Sequence, residues 1–97
     1  MKNIAPACGV VVESLAGRDA GRSFVILRVE DEQHVLIADG ALRKVQKPKR
    51  KKLKHLAIRP YRAEAVALCL EEGKLLLDSD VRKALRELQQ ADQKEEG

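Results

Sequence analysis

The chain has 97 residues, of which 44% are hydrophobic and 35% charged, with one Phe, one Tyr and no Trp. That is the balance of one folded domain, or of a very small domain with a helical extension, and it argues against a disordered tail. No apolar run approaches the ~20 residues of a membrane-spanning helix.

The net charge of +4 is unevenly placed. Residues 1–42 carry four basic and six acidic side chains, and residues 56–97 carry seven and nine. Residues 43–55, RKVQKPKRKKLKH, carry eight basic and no acidic ones. The excess positive charge is thus confined to one segment. This points to a polyanionic partner, with nucleic acid ahead of an anionic membrane surface. Cys8 and Cys69 show neither a pairing pattern nor, with His34 and His55, the spacing of a zinc site. Free thiols and a cytoplasmic location are the expectation, since Glu13 interrupts the N-terminal apolar stretch too early for a secretory signal.

In chain order, GVVVES (9–14), SFVILRVE (23–30) and HVLIA (34–38) are rich in β-branched or aromatic residues and short enough to be strands. GRDAGRS (17–23) follows a strand like a phosphate-binding loop. Its glycines are one residue too close, Arg22 replaces the lysine, and a strand follows instead of a helix. It reads as a turn between antiparallel strands, with Gly17 and Gly21 supplying backbone conformations closed to other residues. EDEQ (30–33) suits a hairpin, with His34 beside it as surface. Asp39-Gly40 suits a two-residue primed turn returning ALRKV (41–45) as a fourth strand. A fifth is expected within KLKHLAI (52–58). Pro60 fits the first position of a helix whose Ala63, Val66, Ala67 and Leu70 form one apolar stripe, with Tyr61 at its start and Gly73 as its stop. Asp78 or Ser79 then caps a second helix with the stripe Val81, Ala84, Leu85 and Leu88. The final QKEEG is expected to fray. The expected architecture is mainly β: a small barrel over residues 1–58 and a C-terminal helical extension over 59–97, packed together as one unit.

The basic run, with Pro48 in its middle and Val45 and Leu53 at its ends, reads as a loop pinned at both ends. It crowds Lys47, Lys49, Arg50, Lys51 and Lys52 together, with Lys44 and Lys54 on the adjoining strands. PKRKK also fits the loose pattern of a nuclear localisation signal. His55 is either a contact residue or a partly buried strand residue. No nucleophile with its base, paired carboxylates or metal set stands out, so no enzyme activity, cofactor or small-molecule substrate is expected. Asp19 and Asp39 sit in turns, where Asx hydrogen bonding accounts for them.

GVVVESLAGRDAGRSFVIL (9–27) resembles a KOW motif: Gly-x-Val-Val, a central glycine, a basic and polar turn, a second glycine and an apolar strand. With IADGALRKV (37–45) and PKRKKLKHL (48–56), about half the chain is similar to a bacterial family of KOW-domain RNA-binding proteins. That family is related to KOW-bearing ribosomal proteins of archaea and eukaryotes. DSDVRKAL (78–85) is similar to the end of such proteins. The resemblance implies an SH3-like barrel of about five strands that binds structured RNA in the translation or transcription machinery. It makes Gly17 the structural glycine and Arg18 and Arg22 candidate RNA contacts. With so few aromatics, a folded RNA read by shape and phosphates is the expected ligand, with Arg18, Arg22, Arg43 or Arg50 reaching groove edges. KOW domains also bind proteins, as in NusG-type elongation factors. A protein-interaction module docking on the ribosome or RNA polymerase is therefore the alternative. The RNA reading requires the bend near residue 20 and the cationic run near residue 50 to share one surface.

Overall fold

A computed structural model describes residues 5–96, with side chains to residue 88. Five strands form one antiparallel sheet: β1 (Val10–Ser14), β2 (Ser23–Val29), β3 (His34–Ala38), β4 (Lys49–Lys52) and β5 (Leu56–Arg62), in the spatial order β4-β3-β2-β1-β5. Two helices follow, α1 (Glu64–Glu71) and α2 (Asp78–Glu96).

The unbroken apolar runs of β1 and β2 have a simple cause, which is that both faces of these central strands are buried. Val10, Val12, Phe24 and Ile26 join Val35, Ile37 and Leu56 in one cluster, with Leu53 and Ile58 packed against it. Val11 and Val25 point the other way, into a second cluster with Ala63, Val66, Leu76 and Val81. Helix residues cover the second face. The first cluster contains none, so the sheet's own curl must exclude water there, and Phe24 and Val12 are fully buried. Both expected helical stripes are present. Val66, Ala67 and Val81 are buried, and Leu70, Ala84, Leu85 and Leu88 pack around the second cluster.

Several expected boundaries are displaced. Residues 41–45 do not form a strand, because side chains claim their backbone. The Asp39 Oδ1 accepts the N–H groups of Ala41 and Arg43 (both 2.9 Å), the Asp39 N–H returns to the Arg43 carbonyl, and Val45 donates to Asp78 Oδ1 at 2.7 Å. No primed turn forms at Asp39-Gly40 either, since no described residue other than glycine, Asp39 included, has positive φ. The fourth strand is the basic run itself, Lys49–Lys52, and Leu53–His55 is a 3₁₀ turn. Lys44 and Lys54 therefore lie off the strands on which they were expected.

The fifth strand runs to Arg62 and takes in Pro60 and Tyr61, so α1 starts only at Glu64. A proline is tolerated there because β5 is an edge strand. The register also slips at this point: Val10 faces Arg62 while Val12 faces Ile58. At α2, Leu77 donates its N–H to Asp80 Oδ2 (3.0 Å), the reach-back half of a capping box, while Asp78 is spent on Val45. The helix continues through Gln93 to Glu96 where fraying was expected, and Gly97 lies outside the described residues.

Candidate nucleic-acid interface

β1 and β3 end, and β2 and β4 begin, at one end of the sheet, so the turn 15–22 and the loop 39–48 are neighbours. The turn is shaped by its glycines: Gly17 (φ +80°) and Gly21 (φ +86°) both take the left-handed conformation, as does Gly40 (φ +78°) in the loop. Two reciprocal ion pairs then bind turn to loop. Arg22 of the turn reaches Asp39 of the loop at 3.3 Å. Arg43 of the loop places Nε and Nη2 on Asp19 Oδ2 of the turn, at 3.2 and 3.0 Å. Both carboxylate side chains are only 7% exposed. An Asx turn thus explains only part of Asp39, which also holds Arg22, while among the described residues the Asp19 side chain is engaged by Arg43 of the loop and not by an Asx hydrogen bond.

For Asp39, burial acts to raise the carboxyl pKa. The N–H groups of Arg43 and Ala41 and the Arg22 guanidinium outweigh it and hold the group below its ordinary 3.8. Each arginine has five N–H donors, so the pairing leaves further donors on these half-exposed side chains.

The basic run is split by its strand geometry. Residues paired directly across an antiparallel ladder share a face. Lys51 pairs with Val35 and Lys49 with Ile37, so these lysines lie on the curled, helix-free face. Arg50 and Lys52, paired with Leu36 and His34, lie on the other. The two sets have different neighbours. Lys51 Nζ donates to the Ala16 carbonyl of the first turn at 3.4 Å and lies 3.8 Å from where a Gly17 side chain would begin.

Arg50 turns instead to the acidic hairpin at 30–33, pairing with Glu30 at 2.8 Å and Asp31 at 3.8 Å. Lys52 and Lys54 line a cavity of about 370 Å³ with Glu32, Gln33 and Leu53. The cations are therefore not one crowded loop. Lys49 and Lys51 join the turn side, while Arg50, Lys52 and Lys54 sit beside carboxylates. His34 is also more than plain surface, with Nδ1 3.0 Å from Asp31 Oδ1.

On the turn side, Arg18 is exposed, as are Lys44 and Lys47 in the loop, whose backbones join through Lys47 N–H to the Lys44 carbonyl. His55 is half-buried in the 3₁₀ turn, and its carbonyl accepts the Leu15 N–H at 2.9 Å. Arg18, Arg22, Arg43, Lys44, Lys47, Lys49, Lys51 and His55 thus gather around one end of the sheet.

One basic residue at this end escaped the sequence reading. Arg82 of α2 donates Nη1 to the Gly40 carbonyl at 2.5 Å, which docks the helix on the loop. Its signal was the Arg-x-x-x-Arg spacing of Arg82 and Arg86, which puts two cations on one helical face beside the apolar stripe. No family model and no curated protein matches the chain.

Proposed function

We propose that the protein is a non-catalytic RNA-binding protein that grips folded RNA, ribosomal RNA foremost, through its phosphates during translation or ribosome assembly. The sheet is read as an SH3-like barrel of the KOW type. In support, the first core cluster is built from residues of β1, β2, β3 and β5, and a 3₁₀ turn joins β4 to β5.

The observation that carries the reading is the Lys51 contact with the Ala16 carbonyl. It sets part of the basic strand against the glycine-shaped turn that bears Arg18, and the Asp19–Arg43 pair brings Lys44 and Lys47 alongside. Set against these cations are Asp19 and Asp39, both already engaged. Phosphate contacts of this kind supply sequence-independent affinity and orient the ligand. Stacking on single-stranded bases needs aromatic platforms. Phe24 is fully buried, which leaves Tyr61 as the one other Phe, Tyr or Trp ring in the chain, beside the smaller imidazoles of His34 and His55. That scarcity favours recognition of a folded RNA by shape.

The test is fluorescence anisotropy with an RNA hairpin and an unstructured oligonucleotide of equal length. The hairpin is expected to bind more tightly. Equal or stronger binding of the unstructured strand would contradict the reading.

A second reading, a module that docks on a protein of the ribosome or RNA polymerase, draws on a different surface. Leu75 and Leu77 are exposed between the helices, Leu75 at 82%, beside a groove of about 580 Å³ that Val45, Leu70 and Leu76 also line. It predicts protein partners that survive nuclease treatment and are lost on Leu75→Ser with Leu77→Ser.

A further inference from the structure

Where α2 crosses the loop 39–43, a pocket of about 360 Å³ opens between the helix and the first turn. Its lining includes Gly21, Arg22, Ser23, Asp39, Arg82 and Arg86. The three arginines come from two separate parts of the chain, and their states differ in a useful way. Arg22 is steadied by Asp39 and Arg82 by the Gly40 carbonyl, each through a single nitrogen, so both keep free N–H donors in a fixed place. Arg86 is exposed and has no ion-pair or hydrogen-bond partner among the described residues. Asp39, the one carboxylate of the lining, is already engaged through both oxygens: Oδ1 accepts two backbone N–H groups and Oδ2 accepts Arg22. The turn leaves room, since a side-chain carbon added at Gly21 would meet nothing within 4 Å.

Helix α2 is also held rigidly at this point. Val81 is fully buried, Asp78 accepts the Val45 N–H, and Arg82 is tied to the loop. Arg22 and Arg82 are thus positioned before any ligand arrives, which lowers the cost of ordering them on binding, while Arg86 is left to close on the ligand.

We propose that this pocket is a subsite for one phosphoryl group, with Arg86 and the free donors of Arg22 and Arg82 as its ligands. Guanidinium groups suit it because their planar donors match phosphate oxygens two at a time. The inference rests on the RNA reading for the source of the group, a backbone phosphodiester of the folded RNA. It makes α2 part of the grip and not merely a cover for the core. A free phosphate offers the same oxygens and is distinguished in the test.

The ¹⁵N-labelled protein is titrated separately with an RNA hairpin and with inorganic phosphate, following the arginine Nε–H signals. Hairpin affinity is measured across a salt series for the wild type, Arg86→Gln and Arg62→Gln. The Arg62 guanidinium is already held by Glu64 and Glu71, so that variant is the control.

The hairpin is expected to move the Arg86 and Arg82 signals. Arg86→Gln should weaken hairpin binding roughly three- to tenfold and flatten the log–log salt slope by about 0.7–0.9, while Arg62→Gln does neither. A wild type that binds the hairpin while Arg86→Gln matches it in affinity and slope overturns the subsite and leaves the RNA reading standing. If the hairpin does not bind at all, the RNA reading fails. The pocket then survives as a small-anion site if phosphate shifts the Arg86 signal saturably, and falls if it does not.

Discussion

Asp39 concentrates several tasks in one side chain. It closes the loop on two backbone N–H groups and holds Arg22 of the turn, and its carboxyl is kept below its ordinary 3.8 although burial opposes this. The sign follows directly. A group whose folded pKa is depressed contributes stability above its unfolded value and loses that contribution as pH falls through the folded one. Wild type should therefore be more stable than Asp39→Asn to urea at pH 6, with the gap narrowing below about pH 4. A gap that is the same at pH 6 and pH 2.5 would show that the charge of Asp39 contributes nothing. Gly40, its neighbour, has positive φ, and an added side chain would strike the Asp78 carbonyl and the Arg82 side chain. Gly21 has similar φ but open space. Gly21→Ala is expected to cost about 1–2 kcal/mol from the backbone alone. Gly40→Ala should cost clearly more, because α2 must move. Thermal melts of the two variants compare these costs, and equal losses would mean that α2 does not press on the loop as described.

At the scale of elements, β4 is the informative case. Edge strands commonly carry lysine, which discourages pairing with another chain. That role alone would treat all four cations of β4 alike, whereas their surroundings differ by face. Lys49 and Lys51 share the face that turns to Ala16, while Arg50 pairs with Glu30 and Asp31 on the opposite side. Charge reversal should therefore be face-specific. Lys49→Glu with Lys51→Glu is expected to weaken hairpin RNA binding by at least about tenfold, since each lost phosphate contact is replaced by repulsion. Arg50→Glu with Lys52→Glu should have a distinctly smaller effect on RNA and should cost stability at the 30–33 hairpin. Equal loss of binding in the two pairs would return the run to a single undivided charge cluster.

For the whole molecule, the net charge matters less than its segregation. The acidic hairpin Glu30–Asp31–Glu32 pairs with Arg50 and shares a cavity lining with Lys52 and Lys54, while on the turn side Arg22 and Arg43 are paired and Arg18, Lys44, Lys47, Lys49 and Lys51 have no ion pair among the described residues. Four to six phosphate contacts there imply a log–log salt slope of roughly −3 to −5 for single-stranded to duplex geometries. An anisotropy series in KCl measures it. A slope near zero would mean that the charge asymmetry is not used for binding a polyanion.

Much of the fold was legible because its cause is local. The β-branched runs of β1 to β3 and the apolar stripes at Ala63–Leu70 and Val81–Leu88 follow from periodicity, and the glycine turns follow from the conformations only glycine adopts freely. Sequence reasoning failed where a side chain, near or distant, competed for the backbone, or where the position of a strand in the sheet decided. Asp39 and Asp78 took the N–H groups that a strand at 41–45 would have used, and the edge of the sheet accepted Pro60 where a helix start was expected. The location of the positive charge was visible in the order of residues alone, because charge is a property of side chains. Its division between two faces, the Arg22–Asp39 and Arg43–Asp19 pairs, and the arrival of Arg82 at Gly40 were decided only by tertiary structure. Those features depend on strand register and on which segments the curl of the sheet brings together, and neither is encoded at short range.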